Sequence, residues 1–157
     1  MTEESLLVTE RDGDILTMVL NRPQSMNALN TELMSAIESW ARSMINDPAR
    51  VVIIRGAGKH FCAGADLKPG DRTKPSLVQG RRDAQLGGRM LRALAEIPQV
   101  TIAAVHGAAL GGGLCIPTAC DFRIAADDAL GGYPEVNLGM NLMWHSVGYC
   151  LRLVGPA

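Results

Sequence analysis

Residues 100–119 read VTIAAVHGAALGGGLCIPTA and contain three kinds of local signal in order. The run Val100–Val105 is apolar and rich in β-branched residues, which is typical of a buried strand. Gly107 to Gly113 predicts a glycine-rich turn, and Leu114–Ala119 predicts the start of a helix. The stretch therefore predicts one strand-to-helix unit.

The segment before this unit repeats the same order of elements. Val51–Ile54 is a short β-branched run, which indicates a strand buried on both faces. A glycine-bearing loop follows from Gly56 to Gly70, and a second helix is predicted over about Leu77–Ile97, ending at Pro98. Three glycines weaken this helix, because glycine costs about 1 kcal/mol in a helix interior: Gly80, Gly87 and Gly88.

The N-terminal third predicts a hairpin and an amphipathic helix. Leu6–Val8 and Ile15–Leu20 are predicted strands around the turn Asp12-Gly13-Asp14. Asn30 or Thr31 can cap the helix, and Asp47-Pro48 ends it. Its apolar residues recur with helical spacing on one face: Leu33, Ala36, Ile37, Trp40, Ala41 and Met44.

The C-terminal third continues the alternation of strands and helices. Phe122–Ala125 and Pro134–Val136 are predicted strands, and Leu142–Val154 is a predicted helix. Because strands alternate with helices, the fold class is α/β with a mostly parallel sheet and right-handed crossovers. The length of 157 residues predicts a single domain over residues 1–157.

Composition disfavours several classes of protein. Hydrophobic residues make up 47% and charged residues 20%, as in ordinary globular proteins. The net charge of −1 disfavours nucleic acid or a membrane surface as a partner. No apolar run reaches the roughly 18 residues of a membrane span, and no signal peptide is visible. The 4 cysteines fit no zinc or redox spacing, so we expect buried thiols, no metal and a cytoplasmic location.

Two glycine-bearing segments each follow a predicted buried strand and precede a helix. They are residues 60–68, HFCAGADLK, and residues 106–115, HGAALGGGLC. Three consecutive glycines cost conformational entropy, so they favour a turn that a ligand approaches closely. Unpaired N–H groups at a helix N-terminus suit an anion or a developing oxyanion. A tight turn without any ligand is the alternative.

Neither segment matches a phosphate-binding loop. Gly58-Lys59 is followed by His60, where the P-loop has Ser or Thr, and Ile53 stands where its first glycine belongs. Gly111–Gly113 does not follow the GxGxxG pattern of dinucleotide-binding folds. The sequence therefore disfavours nucleotide hydrolysis.

Four motifs follow one another along nearly the whole chain. They are Asn21-Arg22-Pro23 with Met26-Asn27-Ala28-Leu29, FCAGADLK at residues 61–68, HGAALGGG at residues 106–113 with Ala119-Cys120-Asp121, and Tyr133-Pro134-Glu135-Val136-Asn137-Leu138-Gly139. In this order they resemble the motifs of the crotonase (enoyl-CoA hydratase/isomerase) superfamily. The resemblance implies a ClpP/crotonase-type spiral core of repeated ββα units with mostly parallel sheets.

The resemblance also implies a reaction strategy. The backbone N–H groups of Ala65 and Gly112 would form an oxyanion hole for a thioester oxygen as it becomes an enolate. Coenzyme A is then part of an acyl-CoA substrate, and no further cofactor is implied. The substrate-binding residues implied by the motifs are Ala63, Ala65, Asp66, Leu67, Lys68 and Gly112.

The implied acid–base chemistry depends on two positions. Glu135 matches the later of the two glutamates that the family's hydratases use, and it is the candidate acid/base. The earlier glutamate falls at Cys115, a possible second-acid position where a thiol cannot hold water as a carboxylate does. A single base favours double-bond isomerisation, so hydration by a lyase and isomerisation both stay open. A catalytically weak acyl-CoA-binding homologue or partner subunit is the alternative.

Several further residues keep two interpretations. Met143 and Trp144 either shape the acyl pocket or belong to a helix core. His145 is either a second acid–base group or an ordinary histidine, and Lys68 either meets a CoA phosphate or is solvated. In the family, C-terminal trimerisation helices follow the part that resembles this chain. We expect a homotrimer or hexamer where such helices are present.

Overall fold

The computed structural model describes residues 5–67, 76–142 and 144–156, and it shows two sheets. The larger sheet has five strands in the order β1-β2-β3-β4-β6, and the smaller pairs β5 with β7. The strands are β1 (Leu7–Asp12), β2 (Ile15–Leu20), β3 (Val51–Gly56), β4 (Val100–Val105), β5 (Ala108–Leu110), β6 (Phe122–Ala125) and β7 (Leu130–Gly132). Only the β1–β2 hairpin is antiparallel among these pairs, so the predicted α/β class with mostly parallel sheets is confirmed.

In the described part of the chain, four α-helices connect and cover the strands. They are α1 (Thr31–Ser43), α2 (Leu77–Ala95), α3 (Gly112–Ala119) and α4 (Ser146–Val154). Short 3₁₀ turns lie at Pro23–Ser25, Met44–Asn46 and Pro134–Leu138. Within these described residues, no helix is long and apolar enough to cross a membrane.

The packing of α1 shows how the apolar pattern of the sequence forms part of the hydrophobic core. Asn30, one of the two predicted caps, accepts a hydrogen bond from the Leu33 N–H at 3.0 Å, which satisfies a donor that the helix leaves unpaired. The predicted apolar face then turns inward against the sheet and α2. Its fully or nearly buried side chains are Leu33, Met34, Ile37 and Ala41. Removing these side chains from water contributes the largest favourable term, about 25 cal/mol per Å² of apolar surface.

Two predicted elements near the C-terminus are wrong. Pro134–Val136 forms part of a 3₁₀ turn rather than a strand, since a Pro at the first position of the turn has no N–H to give to a ladder. The helix predicted over Leu142–Val154 begins only at Ser146. Trp144 and His145 have φ values of 62° and 59°, which a right-handed helix cannot contain.

The sequence also missed the smaller sheet. Its strands are only three residues long, and β5 lies inside the segment predicted as a glycine-rich turn. The prediction that β3 is buried on both faces is wrong too, because burial alternates along it. One face of β3 is therefore closed by the core and the other is partly open.

Candidate active site

The two glycine-bearing segments lie side by side. The Cys62 N–H donates to the Ala108 carbonyl at 3.0 Å, and the Leu110 N–H donates to the Cys62 carbonyl at 3.0 Å. At Gly64 the backbone has a φ of 92°, and a Cβ there would lie 2.6 Å from the Leu110 carbonyl oxygen and 3.5 Å from the Gly112 nitrogen. Only glycine fits this approach, so the sequence itself brings the two segments together.

The backbone around Ala65 directs its N–H away from Leu29. The Leu29 N–H donates to the Gly64 carbonyl at 2.8 Å, and the Asp66 N–H donates to the Leu29 carbonyl at 3.0 Å. In such a parallel pairing the intervening residue points its own N–H to the opposite side. The Ala65 N–H accordingly has no acceptor within the described part of the chain.

At each glycine of the Gly111–Gly113 triplet, an added Cβ would meet a different neighbour. A Cβ on Gly111 would lie 2.8 Å from the Glu135 Oε1 atom, one on Gly112 would overlap the Trp144 ring, and one on Gly113 would overlap the Cys62 carbonyl. Helix α3 begins at Gly112, where intrahelical acceptors are lacking. Its N–H has no acceptor among residues 5–67, 76–142 and 144–156.

The side chain of Glu135 approaches the Gly111–Gly113 triplet from a different part of the chain. Glu135 lies on the 3₁₀ turn Pro134–Leu138, and its backbone carbonyl accepts the Met140 N–H at 2.9 Å. Its Oε1 atom faces Gly111. The Oε2 atom is buried and has no hydrogen-bond partner in the described structure. A buried carboxylate oxygen without a partner requires an explanation, and a reacting group is one.

Cys115 lies on α3 beneath Glu135. Its side chain is buried, and its Sγ atom lies 3.4 Å from the Gly111 carbonyl oxygen. Burial, and to a lesser degree the nearby Glu135 charge, raises the pKa of the Cys115 thiol to about 11, against a smaller lowering by Ser146. The thiol is therefore neutral at neutral pH and can neither accept a proton nor orient water as a carboxylate would.

These groups border one cavity of about 100 Å³. Its polar lining groups are the backbone around Ala65 and Gly112, the Glu135 carboxylate and Asn141; its remaining walls are largely apolar. The lining residues are Ala63, Gly64, Ala65, Leu67, Gly111, Gly112, Cys115, Pro134, Glu135, Leu138, Met140, Asn141, Leu142 and Trp144. A small apolar space with a few convergent polar groups is the usual form of a small-molecule site.

The buried Asn27 and the half-buried Arg22 support the first glycine segment, and the sequence analysis gave neither a role. The Asn27 side-chain amide donates to the carbonyls of Ala57, His60 and Phe61, at 2.9, 2.8 and 3.2 Å. Its Oδ1 atom accepts the Arg22 N–H at 2.9 Å. The Arg22 guanidinium also donates to the Ala28 carbonyl. The signal was present in the first motif, which contains both residues.

The other predicted site residues separate into three groups. Asp66 pairs with the Arg22 guanidinium at 3.1 Å and does not line the cavity, whereas Ala63 and Leu67 do. His145 is exposed and lies outside the cavity lining. Lys68 and Met143 lie outside the described residues.

Comparisons with known proteins agree on one family. A sequence model described as enoyl-CoA hydratase/isomerase matches residues 10–157. A crotonyl-CoA hydratase of Syntrophomonas wolfei is 38% identical over 152 residues, covering 96% of this chain and 58% of that protein. A peroxisomal Δ(3,5)-Δ(2,4)-dienoyl-CoA isomerase of Arabidopsis thaliana is 32% identical over 156 residues, covering 89% of this chain and 56% of that protein.

The comparison with solved structures points to the same family. The crystal structure of an enoyl-CoA hydratase from Bacillus anthracis superposes with a TM-score of 0.88 at 32% identity, covering 98% of this chain and 60% of that one. The predicted crotonase fold is therefore confirmed. The chain spans less than two thirds of the length of these relatives.

Proposed function

The chain belongs to the enoyl-CoA hydratase/isomerase family, and we propose that its cavity binds an enoyl thioester of coenzyme A and stabilises the enolate formed from it. The observation that carries this proposal is that two backbone N–H groups and one carboxylate oxygen, none with a hydrogen-bond partner within residues 5–67, 76–142 and 144–156, belong to residues that line a single small cavity. That combination suits a reaction in which negative charge develops on oxygen while a carbon gains or loses a proton.

The two N–H groups would receive the thioester oxygen. When a proton leaves the carbon next to the carbonyl, the electron pair moves onto this oxygen. Donors at Ala65 and Gly112 are held by backbone contacts, so they need not reorganise as the charge appears. One such donor typically contributes about 2.7–4 kcal/mol to the transition state. The position of Gly112 at the start of α3 adds the favourable end of the helix dipole.

Glu135 would move the proton. Its carboxylate takes the proton from the α-carbon of a 3-enoyl thioester, which leaves a dienolate with its charge on the thioester oxygen. The same carboxylic acid then gives the proton to the γ-carbon, and the double bond shifts into conjugation with the carbonyl. The step needs one base and no water, and it consumes no other reactant. The unpartnered Oε2 atom of Glu135 supports this role.

Isomerisation fits the cavity better than hydration does. A hydratase of this family orients water between two carboxylates, and the second position here is the buried, neutral thiol of Cys115. Hydration is nevertheless the second candidate, because relatives such as the protein from Syntrophomonas wolfei are named hydratases. An acyl-CoA-binding protein without turnover is not favoured by these relatives.

The coenzyme A part would leave the cavity along the exposed backbone of Ala65 and Leu67. Lys68 follows directly in the sequence and would meet a phosphate there. We further propose a cytoplasmic location and a homotrimer or hexamer as the functional assembly, with acyl-CoA as the partner and neither nucleic acid nor membrane.

The test compares Glu135→Gln with the unchanged protein on a 3-enoyl-CoA and a 2-enoyl-CoA in deuterated water. We expect turnover to fall about 10²–10⁴-fold, because the amide cannot take up a proton. Binding of a saturated acyl-CoA should change little, since shape and volume are kept. Mass spectrometry separates the reactions, because hydration adds the mass of one water and isomerisation does not.

Glu96→Gln is the matched control, since Glu96 is exposed at the end of α2 and does not line the cavity. It should keep full activity. Full activity in Glu135→Gln would rule out the role given to Glu135. Binding of no acyl-CoA by the unchanged protein would contradict the proposed function as a whole.

A further inference from the structure

Trp144 stands between two spaces of very different size. On one side is the cavity of about 100 Å³ that contains Gly112 and Glu135. On the other side is a second cleft of about 500 Å³, lined among others by Ala84 and Gln85 of α2. Of the described residues, Leu142 and Trp144 alone border both spaces. Trp144 thus lines both spaces, and a third of about 210 Å³, and is not merely a core side chain.

Two glycines on different helices make room for the indole. A Cβ on Gly112 of α3 would overlap the Cζ3 and Cη2 atoms of Trp144, at the benzene edge of the ring. A Cβ on Gly87 of α2 would overlap the Cδ2, Cε2 and Nε1 atoms, at the pyrrole end. The ring therefore spans the gap between the two helices, in contact with the backbone of both. This contact explains a helix-weakening glycine of α2 that the sequence alone did not explain.

The backbone of this segment is held in an uncommon conformation to present the ring. Trp144 and His145 both have positive φ values, which bulky residues rarely adopt. Such a conformation persists where the surroundings determine it, and it is concentrated at functional sites. Gly88 supplies part of those surroundings, because a Cβ there would lie 3.0 Å from the His145 ring.

We propose that Trp144 is the end wall of the acyl pocket and restricts the protein to thioesters with short acyl chains. This inference rests on the proposed function and adds the class of acyl group. The cavity is well below the roughly 300–1,000 Å³ of pockets for drug-sized ligands, so it admits only a small apolar group beyond the carbonyl. Without the indole the two spaces would join, and a long acyl chain would continue into the second cleft.

The test measures binding of butanoyl-CoA and decanoyl-CoA by calorimetry. Both are saturated, so the measurement does not depend on turnover. The unchanged protein should bind butanoyl-CoA more tightly. Trp144→Ala should raise the ratio of decanoyl-CoA to butanoyl-CoA affinity by about 10-fold or more, the usual scale for a change of hydrophobic fit. Trp144→Phe keeps a ring but shortens it, so it should give a smaller rise.

Trp40→Phe is the matched control for the aromatic exchange. Trp40 is only partly buried, lies on α1 and lines neither space, so its variant should keep the ratio of the unchanged protein. If Trp144→Ala fails to fold by circular dichroism, Trp144→Phe decides the question. The role of Trp144 as the end wall would be overturned if the folded Trp144 variants kept the ratio of decanoyl-CoA to butanoyl-CoA affinity unchanged. It would also be overturned if the unchanged protein bound decanoyl-CoA more tightly than butanoyl-CoA. If the unchanged protein binds neither thioester, both the proposed function and the role of Trp144 as the end wall are ruled out.

Discussion

Two walls of the same cavity differ in what holds them. The first, here called the backbone wall, consists of residues 60–67 and 106–115. It is fixed by main-chain hydrogen bonds such as that from the Cys62 N–H to the Ala108 carbonyl at 3.0 Å. The second, the side-chain wall, consists of residues 133–142 with Trp144. It meets the first through the Glu135 carboxylate and the Trp144 ring.

The difference explains how one scaffold can serve several reactions. The backbone wall supplies N–H donors that depend on chain path and on glycine, so few substitutions leave it intact. Under the proposed function, the side-chain wall would supply the base and the limit on acyl length, and both change when a side chain changes. The reaction would then be adjusted on one wall while the intermediate is stabilised by the other.

The largest effect is expected from Gly113→Ala, which tests the backbone wall. The new Cβ would overlap the Cys62 carbonyl, and neither backbone segment can move without breaking the pairing between them. We expect the free energy of unfolding to fall by about 3 kcal/mol, at the upper end for overpacking. Urea unfolding followed by circular dichroism measures it.

Gly148→Ala is the matched control, because Gly148 also lies within a helix but has nothing within 4 Å of an added Cβ. This variant should be neutral or more stable by up to about 1 kcal/mol, since alanine favours helix. Equal effects of the two substitutions would show that the backbone wall is not closely packed.

A smaller effect is expected from Gly87→Ala, which tests the side-chain wall. The added Cβ would overlap the Trp144 ring, but a side chain can shift where a backbone cannot. We expect a loss of about 1 kcal/mol, as strain of 1–3 kcal/mol is partly offset by the helix preference of alanine. Urea unfolding of the single and double variants measures it.

The double variant Gly87→Ala/Trp144→Ala sharpens this result. Without the indole, Gly87→Ala should no longer destabilise the protein, which gives a coupling energy of about 1–2 kcal/mol between the two positions. Additive effects would mean that the indole and Gly87 do not touch in solution.

The backbone wall and the side-chain wall also differ in how much of each the sequence predicts. Val100–Val105 and Phe122–Ala125 have the predicted bounds, because local apolar and β-branched patterns determine them. The meeting of Ala65 and Gly112 at one cavity was anticipated from the motifs that resemble those of the crotonase superfamily. Motif order was sufficient to pair the two segments of the backbone wall, but it missed the short strand β5 within that wall.

The side-chain wall depends on contacts between distant parts of the chain. Pro134–Val136 resembles a strand by composition, yet it forms a 3₁₀ turn that places Glu135 against Gly111. From the sequence alone, Gly87 only weakens a helix. In the structure it leaves room for the Trp144 ring. Asn27 lay inside a recognised motif, but its three carbonyl acceptors become neighbours only in the folded chain.

The proposed oxyanion hole requires that the N–H groups of Ala65 and Gly112 jointly polarise a thioester carbonyl. This is tested by the infrared stretch of an isotope-labelled enoyl-CoA carbonyl bound to Glu135→Gln, in which proton transfer is stalled. Two hydrogen bonds to the oxygen weaken the C=O bond. We expect a shift to lower frequency relative to the free thioester in water. A bound carbonyl at the free frequency or above it would rule out joint polarisation by the two N–H groups.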